Sequence, residues 1–194
     1  MQNKFYIADC HFGHKNIIDF DSRPFADVSE MDEKLIENWN LVVKKNDIIY
    51  VLGDFIWAKE SQWPNYLERL KGQIVLIKGN HDPASLSSST KEYLVEIKDY
   101  KETTDGKAKV IMCHYPMLFY KKDYIEDYWM FYGHVHDTEE NKQIEDIRKM
   151  LLKQQSNDYS NKCHFINIGC MMPWMDYFPR TFTEIVERFN AQGG

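Results

Sequence analysis

Five short apolar runs in this chain each stop at a group of Asp, Asn or His residues. Lys4 to Ala8 runs into Asp9-Cys10-His11, and Asp47 to Leu52 runs into Gly53-Asp54. Gln73 to Lys78 ends at Gly79-Asn80-His81-Asp82. Lys107 to Cys113 ends at His114, and Trp129 to Tyr132 at Gly133-His134-Val135-His136. Short continuous apolar runs bounded by breakers read as buried strands. In open α/β sheets, ligands bind outside the carboxyl ends of strands. The pattern therefore predicts five polar segments delivered to one crevice. Five of the seven histidines belong to these groups, which argues against scatter over the surface.

The intervening stretches read as helices. Met31, Leu35, Trp39 and Val42 recur at helical spacing behind Ser29, a capping residue with Asp32 three positions on. Trp63, Leu67 and Leu70 mark a short helix that Gly72 ends. Runs from Tyr93 to Tyr100 and from Lys107 to Cys113 flank Asp105-Gly106, a hairpin signal. The polar stretch 137–162 carries Ile144, Ile147, Met150 and Leu151 on one helical stripe, so it reads as a helical insertion between strands. Cys163 to Ile168 reads as a further strand, and Thr183 to Phe189 suits a helix. With 194 residues and no internal repeat, the expectation is a single α/β domain spanning 1–194, with strands running in mixed directions.

Composition narrows the partners. No run of 18 apolar residues exists, so a membrane span is not expected. The start lacks a long apolar stretch and a small-residue cleavage site, and the four cysteines form no C-x-x-C pair. A cytoplasmic protein with free thiols is the resulting expectation. A net charge of −6 argues against binding to duplex nucleic acid, which needs a basic face.

The donor types are specific. Asp9, His11, Asp54, Asn80, His114, His134 and His136 supply two carboxylates, one amide and four imidazoles, with His81 in addition. Seven donors exceed one four-coordinate ion but suit two ions sharing a carboxylate. Mixed nitrogen and oxygen ligation suits manganese, iron, zinc, nickel or cobalt rather than calcium. Asp9 and His11 are two apart, as are His134 and His136, and in extended backbone such pairs share a side. Two divalent ions against two carboxylates leave a local charge of about +2, which attracts phosphate despite the acidic chain.

In this order the groups resemble the signature of the calcineurin-like metallophosphoesterase superfamily: D-x-H, G-D, G-N-H-[DE], a lone His and G-H-x-H. The resemblance implies a four-layer α-β-β-α sandwich of two mixed sheets. It implies that Asp9, His11 and His136 hold one metal, that Asn80, His114 and His134 hold the other, and that Asp54 bridges them. His81 would then be the non-ligand catalytic histidine. H-F-G-H-K-N-I-I from His11 and R-P-F from Arg23 resemble a small bacterial and phage-like branch of phosphoesterases. The chain lacks the second aspartate and the arginine that protein phosphatases of the superfamily carry after G-D, where it reads Gly53-Asp54-Phe55-Ile56-Trp57.

The implied chemistry is hydrolysis of a phosphodiester, such as a nucleotide, by a metal-activated hydroxide. His81 would protonate the leaving oxygen, with Asp82 orienting it. A phosphomonoesterase, and a non-catalytic scaffold like the retromer subunit of this fold, are the alternatives. Intact His81 speaks against the scaffold. His14 reads as a support for the ligands or a substrate contact, and as a loop residue otherwise. Arg23 reads as a fork for a substrate phosphate or as a structural turn residue. Tyr115, Phe119, Tyr120, Tyr124 and Trp129 read as a nucleobase platform or as core. The stretch 137–162 could cover the site, mediate association, or be a solvated helix.

Overall fold

Alternation along the strands sorts the apolar residues into layers. In the computed structural model, which describes residues 2–154 and 159–193, two four-stranded sheets lie face to face. The first has the order β1 (Lys4–Ile7), β2 (Ile48–Leu52), β3 (Gln73–Ile77) and β4 (Leu94–Lys98), all parallel. The second has the order β5 (Tyr100–Asp105), β6 (Ala108–Cys113), β7 (Tyr128–Tyr132) and β8 (Phe165–Asn167). There β5 is antiparallel to β6 and the remaining pairs are parallel, so mixed strand direction is confined to this sheet.

Successive residues of a strand face opposite sides. Val110, Met112, Phe131 and Ile166 accordingly join the central core with the first sheet. Ile111, Met130, Tyr132 and Phe165 form a separate outer cluster. Between the sheets Tyr6 stacks on Tyr50 and meets Phe131 edge-on, both at 5.3 Å. The outer cluster is covered by Ile144 of α5 (Glu139–Lys153), with Leu151 packed against it, whereas Met150 of the expected stripe is exposed. Residues 155–158 of that stretch lie outside the described residues. On the first sheet, after the short α1 (Ile17–Phe20), α2 (Val28–Val42) buries Met31, Leu35, Ile36 and Trp39, and α3 (Trp63–Leu67) buries Trp63 and Leu67, with the short α4 (Ser88–Lys91) leading into β4. The four-layer sandwich is thus present. Among the described residues, no helix is long and apolar enough to cross a membrane.

Local readings are corrected in three places. The cap of α2 is Asp27, whose Oδ1 accepts the Glu30 N–H at 2.9 Å, not Ser29. Asp32 instead accepts the Gly13 N–H with both oxygens, at 2.9 and 3.1 Å, so it ties the helix to the first ligand loop. The hairpin pairs Tyr100–Asp105 with Ala108–Cys113, whereas Leu94–Lys98 stays in the first sheet. The chain crosses between sheets at Asp99, a change that local periodicity cannot register. The C-terminal helix α6 (Phe182–Ala191) extends beyond the expected stretch at both ends, and a Thr181–Glu184 capping box sets its start.

Candidate metal centre

Every polar group singled out above follows the carboxyl end of its strand, and the strands align these ends on one edge of the sandwich. Backbone bonds lock the loops together. The Asp9 N–H reaches the Gly53 carbonyl at 3.1 Å, and the His11 N–H reaches Asp54 at 3.0 Å. The two sheets are joined there as well, by Ala8 N–H to Ile168 and Cys170 N–H to Ala8. Asp82 does not orient His81. Its carboxylate accepts N–H groups of Asp54, Phe55 and Gly79 at 2.8–3.0 Å, which pins one ligand loop to the next.

Extended backbone is not what aims the paired ligands. Asp9, His11, Asp54, His134 and His136 all have φ between 48° and 72°. Left-handed backbone at non-glycine residues costs of order 1–3 kcal/mol each and clusters at functional sites. Close packing adds a second constraint. A Cβ at Gly79 would overlap Asp54 Oδ1, and one at Gly133 would overlap Asp9 Oδ2.

One ligand atom each from Asp9, His11, Asp54 and His136 lie within 4.8 Å of one another. His136 Nδ1 donates to Asp21 Oδ1 at 2.7 Å, which in the neutral ring leaves Nε2 as the acceptor. That atom is 3.3 Å from His11 Nε2 and 3.8 Å from Asp9 Oδ1. His11 Nδ1 is 3.3 Å from His14 Nδ1. Beside this group, His114 Nδ1 donates to the Leu52 carbonyl at 2.8 Å, so in the neutral ring its Nε2 is also the acceptor. It lies 3.0 Å from Asn80 Oδ1 and 3.5 Å from Asp54 Oδ2. The His134 ring lies 5.1 Å from that of His114. Carboxylate oxygens and imidazole nitrogens converging at 3.3–3.8 Å are a donor set that a divalent cation satisfies, so the residues fit a metal.

Charge follows the same geometry. Burial pushes the Asp9 carboxyl up to about 6, although His136 and His114 pull it down. Burial would lower His136 and raise Asp21, but their mutual hydrogen bond wins. His136 is raised and Asp21 lowered, with Arg23 assisting the latter.

The remaining candidates divide. His81 is half exposed, with Nε2 4.0 Å from Asp54 Oδ2, and it faces the cavity. His14 is buried against Trp57, ring on ring at 3.8 Å and 4°. Arg23 is not available to a substrate phosphate. Its guanidinium is fully buried and donates to the carbonyls of Asp9 and Cys10 and to Asp21. Of the aromatics after His114, Tyr115 is exposed with its ring 4.7 Å from that of His134. Tyr120 is core, and Trp129 stacks on His164 at 4.1 Å. Sequence reasoning missed Asp21, Phe20 and Trp57. Trp57 lies three residues past Asp54, and only its exposure beside three histidines reveals it. A cavity of about 460 Å³ joins His11, His81 and His136 to an apolar wall of Ile17, Phe20 and Trp57.

Strand-end Asp, Asn and His donors gathered on an α/β sandwich define a metal-dependent phosphoesterase domain. The calcineurin-like phosphoesterase superfamily domain matches residues 6–186, and the chain belongs to that family of hydrolases acting on phosphoric esters. It is 38% identical over 138 residues to an uncharacterised protein of Methanocaldococcus jannaschii, covering 70% of each chain. It is 34% identical over 86 residues to the gene 66 protein of a Mycobacterium phage, covering 42% of this chain and 41% of that one. Among solved structures, a protein of unknown function from Aquifex aeolicus aligns with a TM-score of 0.62 at 26% identity, covering 96% of this chain and 99% of the other.

Proposed function

We propose that the protein is a dinuclear metal-dependent phosphodiesterase acting on a small phosphorylated substrate such as a nucleotide. The observation that carries the dinuclear reading is Asp54. Its Oδ2 stands 3.8 Å from His11 Nε2 and 3.5 Å from His114 Nε2, between the two donor sets. Asp9, His11 and His136 would hold one ion, and Asn80, His114 and His134 the other, with Asp54 shared. Two bound ions, of manganese, iron, zinc or nickel, would supply charge neutralisation for the phosphoryl group and a coordinated water acidified toward neutral pH.

The chain's own residues supply the rest. His81 reaches into the cavity and is no ligand, so it is placed to protonate the leaving oxygen. The Asp54 carboxylate accepts the main-chain N–H of His81 at 2.9 Å, which fixes the backbone from which that imidazole extends. Among the described residues, the cavity is lined by no Lys or Arg, and it includes Asp21 and Glu140. A dianionic monoester gains little from such a lining. A diester carries one charge and a second organic group, for which Ile17, Phe20 and Trp57 offer an apolar wall.

The test is metal content measured together with hydrolysis of bis-p-nitrophenyl phosphate and p-nitrophenyl phosphate, with manganese added. Two ions per chain and faster diester cleavage are expected. Faster monoester cleavage would make the protein a phosphatase, and two ions with neither ester cleaved would favour a scaffold.

A further inference from the structure

The stretch from His14 to Phe25 contains a buried pair of charges, Asp21 and Arg23, of which Asp21 borders the cavity and the Arg23 side chain has no exposed surface. Arg23 Nε and Nη2 donate to Asp21 Oδ2 at 3.0 and 2.8 Å. Nη2 also donates to the Asp9 carbonyl at 2.9 Å, and Nη1 to the Cys10 carbonyl at 3.0 Å and toward Met31 Sδ at 3.7 Å. All five N–H groups of the guanidinium are thereby engaged. Asp21 passes the arrangement on, its other oxygen accepting His136 Nδ1–H at 2.7 Å. Arg23 therefore grips the backbone between Asp9 and His11, and through Asp21 it fixes the ring of His136.

Those three ligands belong to one half of the donor cluster. In the other half, His114 is held by the neutral carbonyl of Leu52. We propose that Arg23 and Asp21 are positioning residues that set the affinity of the Asp9–His11–His136 metal position and leave the Asn80–His114–His134 position largely unaffected. The physical reason is that a carboxylate on the far nitrogen both fixes the imidazole tautomer and raises its basicity toward a cation. Arg23 holds that carboxylate in place, with Nε and Nη2 both on Asp21 Oδ2, so its other oxygen meets His136 in a fixed orientation. The inference rests on the dinuclear reading above.

The test is manganese binding by calorimetry to the wild type, Asp21→Asn and Arg23→Lys, with the spin spectrum of the bound manganese recorded. Circular dichroism identifies the folded variants. In Asp21→Asn, one site is expected to weaken by about 10- to 100-fold, and the other to stay within about threefold. At limiting manganese, the coupled-pair spectrum should give way to that of an isolated ion. Arg23→Lys keeps the charge but not the fork, so it should weaken the same site to a smaller degree. It carries the test if Asp21→Asn does not fold. Folded variants that keep both affinities, or lose both in parallel, overturn the proposal while leaving the dinuclear reading in place. A wild type that binds a single ion, or none, overturns both.

Discussion

The two halves of the donor cluster solve one problem with different chemistry. In the proposed dinuclear reading each presents an imidazole Nε2 toward a cation, so each must occupy Nδ1. For His114 the partner is a main-chain carbonyl at the end of β2, a group that every strand end offers. For His136 it is the carboxylate of Asp21, and a buried carboxylate must itself be neutralised. That requirement explains Arg23, an arginine without exposed surface beside a candidate active site. The difference teaches that an arginine near a phosphoesterase centre need not meet phosphate.

Variants can break this comparison from its middle outward. Removing the shared residue, Asp54→Ala, should abolish the distinction between the halves. Both ions should be lost, and turnover should fall by more than about 10⁴-fold, because the charge stabilisation leaves with them. Metal analysis and rates on bis-p-nitrophenyl phosphate check this. His81→Ala should lower turnover by about 10²- to 10⁴-fold, the usual range for general acid catalysis, with both ions retained. Full activity in that variant would take His81 out of the reaction.

Smaller effects sharpen the picture. Trp57→Ala removes an exposed ring that packs on His14 and lines the cavity. It should raise KM for an aryl or nucleoside diester by about tenfold, within the 1–3 kcal/mol typical of ring stacking. A KM unchanged across several diesters would leave the apolar wall without a role in binding. Chelation should lower thermal stability. Each ion, at a free concentration about 1,000 times its Kd, contributes roughly 4 kcal/mol, which in a chain of this size corresponds to a Tm shift of about 10 °C per ion. A melting curve indifferent to chelator would show that the strained ligand loops hold without a cation.

The candidate donors were legible because each stands immediately after an apolar run. The parallel strands then carry Asp9, Asp54, Asn80, His114, His134 and His136 to one edge. Spacing was a poorer guide to how they aim. Asp9 with His11, and His134 with His136, converge through left-handed backbone rather than extended backbone. The supports were less legible still. Asp32 looked like part of a helix cap and instead holds the Gly13 N–H, and Asp82 looked like a partner of His81 and instead holds three backbone N–H groups. Both are short acidic side chains whose local options, capping or bonding a neighbour, are the same in any loop.

By itself, the sequence determined which chemical groups the centre contains and which strands bring them. Apolar periodicity and chain breaks are local, and burial of the strands follows from them. Only the tertiary structure decided what stands behind each ligand. Arg23 reaches Asp9 and Cys10 from more than a dozen residues away, Asp21 meets His136 across 115 positions, and Trp57 closes on His14 from another loop. Such pairs are selected by the crossing of two sheets and by the cost of burying an unpaired charge. Neither leaves a mark in the residues on either side.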